Sequence, residues 1–312
     1  MSFPITLHGP VHRLEHGERD SIEALIHRLH PAIRHAPLGD ATWRTLVSGA
    51  GPDYTAAWAS RSDHSSPDST VEVVAYAQVT RLPADEVWVA ELVIDPAHQE
   101  RLVDLGAPLL SRALKGSGQH THYWVSDPTP AHLEVVARLD LHHHRLLHQM
   151  KCPLPLQAPA ELRGLVTRPF EVGRDEASLL EVNRRAFATH PDQGRMTAAQ
   201  LQQRIEEPWF DPEGCLLSEI DGQLAGFCWT KLFRDYQPVM GEIHIIGVDP
   251  AFAGRGLGPR LVVAGLEHLA SRGAGEGVLF VEGDNEAARA MYDRLGFVVT
   301  RTDRAFATSL HG

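Results

Sequence analysis

Sulfur, positive charge and long apolar runs are all scarce in this chain, and each shortage excludes a class of protein. Three cysteines, Cys152, Cys215 and Cys228, are too few and too unevenly spaced for a disulfide framework or a Cys-x-x-Cys metal knuckle, so they are expected to be reduced and buried. Lys and Arg number 29 against 40 Asp and Glu, a formal net charge of −11, which argues against nucleic acid or an anionic membrane as the main partner. No stretch approaches the roughly 20 apolar residues of a membrane span. Residues 1–8 lack both a basic start and a long apolar run, so the expectation is an acidic cytoplasmic protein. What is present suffices for ordinary globular cores, with 43% hydrophobic and 22% charged residues.

Residues 245–258 run Ile-Ile-Gly-Val-Asp-Pro-Ala-Phe-Ala-Gly-Arg-Gly-Leu-Gly. An apolar stretch breaks at Asp249-Pro250 and enters a glycine-rich turn ahead of a long helical pattern. Glycines there let backbone amides approach an anion without a Cβ in the way. A helix starting near Pro259 would aim its free N–H groups and positive dipole end at the same spot. Arg255 is placed to add a charge-assisted contact. A P-loop requires Lys and then Ser or Thr after its last glycine, which Gly258 lacks, and a dinucleotide fingerprint requires a glycine where Pro259 stands. Coenzyme A is left as the better-fitting anion.

Downstream, Val278–Val281 reads as a strand, and Asn285 to Phe297 as a short helix closed by Gly296 with a strand resuming after it. Strand, Gly-x-Gly helix start, strand, then Asn-x3-Arg-x2-Tyr-x3-Gly-Phe resembles the GNAT family of acetyl-CoA-dependent N-acetyltransferases. The resemblance implies an α/β fold with a mixed sheet, acetyl-CoA as co-substrate and no metal. It puts the coenzyme on Ile246, Gly247 and Val248, on Ala253, Gly254, Arg255, Gly256, Leu257, Gly258 and Pro259, and on Asn285, Glu286, Ala287, Ala288, Arg289 and Ala290. Ala253 departs from the Gln or Arg usual in the family, which removes one side-chain contact to the pyrophosphate and leaves the backbone cradle.

The pattern occurs twice. Glu91-Leu92-Val93-Ile94-Asp95-Pro96-Ala97 matches residues 245–251 at an offset of 154, and Arg138-Leu139 matches Arg294-Leu295 at 156, half of the 312 residues. Two tandem GNAT-type domains are therefore expected, residues 1–155 and 156–312. The first copy continues Ala97-His98-Gln99-Glu100-Arg101-Leu102-Val103-Asp104-Leu105-Gly106, without paired glycines and with carboxylates where phosphates would sit. Val136 stands in the place of Tyr292. The first domain is thus expected to be catalytically silent, with Leu92, Val93 and Ile94 on the matching coenzyme positions.

Other segments are less specific. Residues 152–159, Cys-Pro-Leu-Pro-Leu-Gln-Ala-Pro, cannot form a regular helix and suit an extended interdomain connection. Residues 60–69 read as a mobile hairpin loop, Glu176–Phe187 and Ala198–Glu206 as helices, and Asp221-Gly222 as the turn of a hairpin. His142-His143-His144 invites a metal reading, but neighbours in a row cannot all face one ion on regular structure, so a solvated turn is expected.

Acetyl transfer to an amine needs a base, a donor for the oxyanion and an acid for the departing thiolate. Glu242, at the start of the strand leading to the coenzyme, is the candidate base. The Val248 N–H is the donor if the strand ends splay as in GNAT enzymes, and Tyr292, one turn beyond Arg289, is the acid. Residues 183–194, 209–212 and 227–231, set in a tandem layout, resemble the branch of that family that acetylates the cysteinyl amine of Cys-GlcN-Ins, an amino-sugar thiol. That resemblance implies a small-molecule acceptor held by Asp40, Asp192, Lys231 and Glu242 in a monomeric protein, with Phe280 where the branch has Tyr. Two rivals stay open here: a GNAT enzyme for another amine, such as a polyamine, an aminoglycoside or a peptide amino terminus, and a pair of acyl-CoA sensors without turnover. Glu242 with Tyr292 favours catalysis, since a binding module has no use for a paired base and acid.

Overall fold

In the computed structural model the described residues are 4–29, 38–48, 51–62, 71–82, 87–115, 117, 121–188 and 193–308. They repeat one element order twice. The first pass is β1 (Ile5–Val11), α1 (His16–Leu29), α2 (Asp40–Ser48), β2 (Tyr54–Ser62), β3 (Val71–Leu82), β4 (Val87–Ile94), α3 (Ala107–Leu114), β5 (Thr121–Ser126), α4 (Pro130–Arg138) and β6 (Leu141–Pro153). The second is β7 (Arg168–Pro169), α5 (Glu176–Ala186), α6 (Ala198–Ile205), β8 (Cys215–Ile220), β9 (Gln223–Phe233), β10 (Met240–Val248), α7 (Leu257–Ser271), β11 (Glu276–Glu282), α8 (Glu286–Arg294) and β12 (Val298–Thr308). Both passes thus read β-α-α-β-β-β-α-β-α-β, the tandem α/β arrangement expected.

The compact units do not coincide with the passes. One holds Met1–Leu146 with Asp303–Gly312, the other Leu147–Thr302. In the first, β1 to β4 form antiparallel neighbours and β5 joins β4 in parallel. Its next strand is the end of β12, where Asp303–Ala307 pairs with Ser126–His122. In the second, β7 to β10 are antiparallel neighbours, β11 is parallel to β10, and Leu147–Pro153 of β6 pairs with Glu282–Glu276. The units therefore differ from the expected spans 1–155 and 156–312 in the strands at their ends, 147–155 and 303–312. Without them β5 and β11 would each present a row of unpaired N–H and C=O groups, and an open edge of that kind is costly.

The proline-rich segment also differs from expectation. Cys152 and Pro153 end β6, the Leu154 N–H donates to Gly275 O at 3.0 Å, and Leu154, Leu156 and Ala158 pack on the core beneath α7. The segment is extended, as its prolines require, but it is docked and not a free connection. His142, His143 and His144 lie exposed on strand β6 and not in a turn. Of the loop expected at 60–69, residues 60–62 belong to β2 and 63–69 lie outside the described residues.

The sheet of the second unit is covered on both faces. Ile243, Leu261, Val262, Leu266, Leu279 and Tyr292 form the core under α7 and α8. Leu179, Val182, Leu201, Phe227, Trp229 and Ile245 form the core under α5 and α6. Helix α7 lies close to its sheet because residue 265 is glycine: a Cβ there would stand 2.5 Å from Cys228 Sγ. Among the described residues no helix is long and apolar enough to cross a membrane.

Candidate active site

The site begins where two parallel strands part. Pairing between β10 and β11 covers only Met240↔Glu276 to Ile243↔Leu279, although β10 continues to Val248 and β11 to Glu282. On its other edge β10 stays paired with β9 as far as Val248↔Gly226, and the Asp249 N–H donates to Ala225 O at 2.9 Å. Successive strand residues send their N–H groups to opposite edges. The N–H groups of Val248 and Ile246 therefore face the opening, as the expected oxyanion donor must. The parting starts at a bulge: His244 is an extra residue between Ile243↔Thr230 and Ile245↔Trp229, and a bulge bends its strand.

Past Val248 the chain turns into the glycine loop. The Asp249 carboxylate accepts the Ala251 N–H at 2.8 Å and pairs with Arg185 of α5 at 2.9 Å, which holds the turn in place. Gly254 and Gly256 have φ of +75° and +69°, left-handed conformations that disfavour a side chain. Gly256 opens α7 without any side-chain cap, so the first N–H groups of that helix are left for a ligand. Nearby, Arg260 Nε and Arg289 Nε are buried and have no hydrogen-bond partner among the described residues. Uncapped amides, a positive dipole end and unpaired guanidinium N–H groups fit the pyrophosphate of a coenzyme. Arg255 instead rests on the Phe252 ring, 5.3 Å from its centroid.

Helix α8 borders this loop, with Met291 Sδ 3.7 Å from where a Cβ of Gly258 would lie. Asn285 caps α8 by accepting the Ala288 N–H at 3.1 Å, and Gly296 ends the segment at a φ of +87°. One turn before that end, Tyr292 is 5% exposed and lies edge-on to Phe297 at 5.7 Å. Burial raises its phenol above the ordinary value, so the group keeps its proton, which an acid must. Burial also pushes the Cys228 thiol up to about 12 and raises Cys215 well above its usual range. All three cysteines are free and buried, as expected, and none is an activated nucleophile.

The opposite face of the sheet carries a polar group of different character. Glu242 on β10 stands across from Lys231 on β9. Lys231 Nζ lies over the rings of Trp209 and Phe233, at 4.6 and 4.7 Å from their centroids. Glu242 Oε1 is 3.0 Å from His244 Nδ1, and the imidazole is flanked by Trp209 at 5.2 Å and Trp229 at 5.9 Å. Phe280 follows the last β10–β11 pair, is 39% exposed, and has the Arg301 guanidinium 5.8 Å over its ring.

The Acetyltransferase (GNAT) family matches residues 179–297 of the chain. Over 306 residues the chain is 37% identical to the mycothiol acetyltransferase of Rhodococcus jostii, covering 95% of this chain and 96% of that one. Over 240 residues it is 40% identical to the mycothiol acetyltransferase of Streptomyces coelicolor, covering 76% of each. The chain belongs to the mycothiol acetyltransferase family. It is an acetyltransferase of GNAT type, and its co-substrate is acetyl-CoA. The fold agrees with the GCN5-related N-acetyltransferase from Sphaerobacter thermophilus, at a TM-score of 0.66 and 20% identity over 98% of this chain and 96% of that one. It agrees also with a tandem GNAT protein from the clavulanic acid biosynthesis pathway, at 0.64 and 16% over 98% of each.

In this member of the family, the second unit brings together Ile246, Gly247, Val248, the 253–259 loop, Asn285–Ala290 and Tyr292 on one side, and Lys231 with Glu242 on the other. Asp192 lies outside the described residues, and Asp40 opens α2 with its side chain outside them. His244 and Arg260 were not singled out by sequence, and Trp209 entered only through the resemblance carried by residues 209–212. The Glu-x-His spacing on one strand was the available signal for His244, and strict alternation was enough to read it.

The first unit keeps the parting of strands. Pairing of β4 with β5 ends at Ala90↔Tyr123, while Leu92, Val93 and Ile94 continue beyond it. The loop that follows is different. Pro96–Arg101 is a 3-10 turn, Leu102–Gly106 a π turn, and no residue from 95 to 115 has positive φ. Val136 is buried where the second unit has its tyrosine.

Proposed function

We propose that this enzyme transfers the acetyl group of acetyl-CoA to the cysteinyl amine of Cys-GlcN-Ins, with chemistry confined to the second unit. The observation that carries the reading is the cross-strand pair of Glu242 and Lys231 beside the opening between β10 and β11. A base for one ammonium and a donor for hydroxyl oxygens stand together, as a neutral sugar bearing a single amine requires. A polyamine would call for acids alone. The names of the relatives point the same way.

In this reading acetyl-CoA lies along the opening. Ile246, Gly247 and Val248 hold its pantetheine arm, Ala253 to Pro259 its pyrophosphate, and Asn285 to Ala290 the flank beside α8. Lys231 and Phe280 contact the acceptor. Glu242 takes one proton from the acceptor ammonium, the amine nitrogen attacks the thioester carbon, and the Val248 N–H steadies the oxygen as it gains charge. The C–S bond then breaks, Tyr292 gives its proton to the leaving sulfur, and the second proton of the nitrogen restores the phenol. One amide, one thiol and one released proton balance the reaction. The reading carries a cytoplasmic monomer with it, since both substrates are small metabolites and neither calls for a partner chain or a bilayer.

The test is an acceptor panel. The enzyme is incubated with acetyl-CoA and Cys-GlcN-Ins, a polyamine, an aminoglycoside or a peptide with a free amino terminus, and coenzyme A release and acetylated product are followed together. Turnover with Cys-GlcN-Ins at least tenfold above the others in kcat/KM supports the reading. Preference for any other amine overturns the acceptor, and coenzyme binding without turnover on any amine overturns catalysis.

A further inference from the structure

The bulge in β10 does more than bend the strand. With His244 inserted between Ile243↔Thr230 and Ile245↔Trp229, the residues before it keep their alternation and those after it shift by one. Glu242 and His244 point to the α5–α6 face, and Ile245, not Ile246, joins them there in the core with Trp229. Alternation alone sets the imidazole beside the carboxylate on one face, and the bulge adds Ile245 to that face while Ile246 and Val248 stay free to turn their side chains under α7.

The imidazole has little freedom in this position. Trp209 meets it at 71° and Trp229 at 84°, both near-perpendicular ring contacts, and only 25% of its side chain is exposed, with 13% for Glu242. Trp209 also carries the Lys231 ammonium on its face. One indole thus contacts both His244 and Lys231. A carboxylate on a flexible stem has several rotamers; here a held imidazole contacts one of its two oxygens at 3.0 Å.

We propose that His244 is a positioning residue for the base, an inference that rests on Glu242 being that base. The imidazole donates its Nδ1–H to Glu242 Oε1 and so presents Oε2 to the acceptor ammonium. The step it serves moves one proton: the N–H bond of the ammonium breaks, an O–H bond forms on Oε2, and the carboxyl later returns the proton to water. His244 exchanges no proton and touches no substrate.

The experiment is a double-mutant cycle on the full chain with His244→Leu, His244→Asn, Glu242→Gln and the pair Glu242→Gln with His244→Leu. His244→Leu is expected to lower kcat about 10- to 100-fold, the cost of misaimed catalytic groups, with the KM for acetyl-CoA unchanged. His244→Asn, whose amide N–H can reach the position of Nδ1, is expected to recover most of that loss. In the Glu242→Gln background, His244→Leu is expected to cost nothing further, because a group that acts only through the base has nothing left to act on. A His244→Leu enzyme with native kcat overturns the inference. So do equal losses from Leu and Asn, or a full additional loss in the Glu242→Gln background, which would indicate packing. Full activity of Glu242→Gln alone removes the base itself, a failure distinct from that of His244.

Discussion

Lys231 and Glu242 face each other across the β9–β10 ladder, with the Lys231 ammonium seated on the rings of Trp209 and Phe233. The aromatic seat fixes the ammonium without neutralising it. Removing the charge while keeping the stem, in Lys231→Met, should raise the KM for the acceptor about 10- to 100-fold, the range for a lost hydrogen bond to a charged group. Acetyl-CoA affinity should not change. Steady-state kinetics with each substrate varied separately checks both, and an unchanged acceptor KM removes Lys231 from the binding set.

Tyr292→Phe should cut kcat by about 10²- to 10⁴-fold, the usual contribution of a positioned acid, and leave acetyl-CoA binding by calorimetry near native. The buried phenol has its pKa raised, so the protonated form persists above the ordinary tyrosine range. No loss of activity from tyrosine ionisation is expected up to about pH 10. In the first unit Val136→Ala should leave the chemical step untouched. A fully active Tyr292→Phe enzyme reassigns the acid.

Gly256→Ala tests the loop. No atom lies within 4 Å of the added carbon, so the substitution meets strain alone, from a φ of +69°. A left-handed residue of that kind costs about 1–2 kcal/mol. Weaker acetyl-CoA binding by about 5- to 30-fold is expected, read by titration, with a fall in Tm of the second unit as the alternative place for the same energy. Native values of both would show that the loop has no need of glycine.

The Arg168 guanidinium grips Asp175 through two hydrogen bonds of 2.6 and 2.9 Å and holds its carboxyl below the usual carboxylate range. A depressed folded-state pKa adds stability that is present in full above the ordinary value, near 4, and is lost as pH falls through the folded one. Asp175→Asn should therefore cost about 3 kcal/mol at pH 7 and less at a pH below the folded-state value. Denaturant unfolding at the two pH values measures the difference, and an equal cost at both contradicts the ion-pair account.

Deleting residues 303–312 should harm the first unit, although they lie at the far end of the chain. Asp303–Ala307 is the ladder partner of His122–Ser126. Amide hydrogen exchange should show protection lost in β5 and kept in β10. Loss confined to the second unit would contradict the pairing.

Much of this was legible in sequence because it depends on local rules. Gly256 and Gly258 marked the anion cradle; Gly256 has the positive φ that favours glycine, whereas Gly258 lies within the first turn of α7. Asp-Pro breaks a strand in either copy, and the double occurrence exposed the repeat. Helix patterns over 176–187 and 198–206 and the Asp221-Gly222 turn matched α5, α6 and the β8–β9 hairpin, where Asp221 and Gly222 both have positive φ. The first unit's altered loop also followed from its composition, since residues 97–106 supply no glycine pair.

Tertiary structure alone decided the rest. Which strand closes each sheet is a matter of hydrogen bonds between residues more than 120 positions apart, and no local preference distinguishes β6 or β12 in one unit from the same strand in the other. The proline-rich stretch 152–159 was correctly extended, but only the core beneath α7 determines that its leucines are buried. Period-two alternation holds only until a residue is inserted, so the bulge at His244, which puts Ile245 on the face of Glu242 and turns Ile246 away from it, belongs to the ladder with β9 and not to the order of residues in β10.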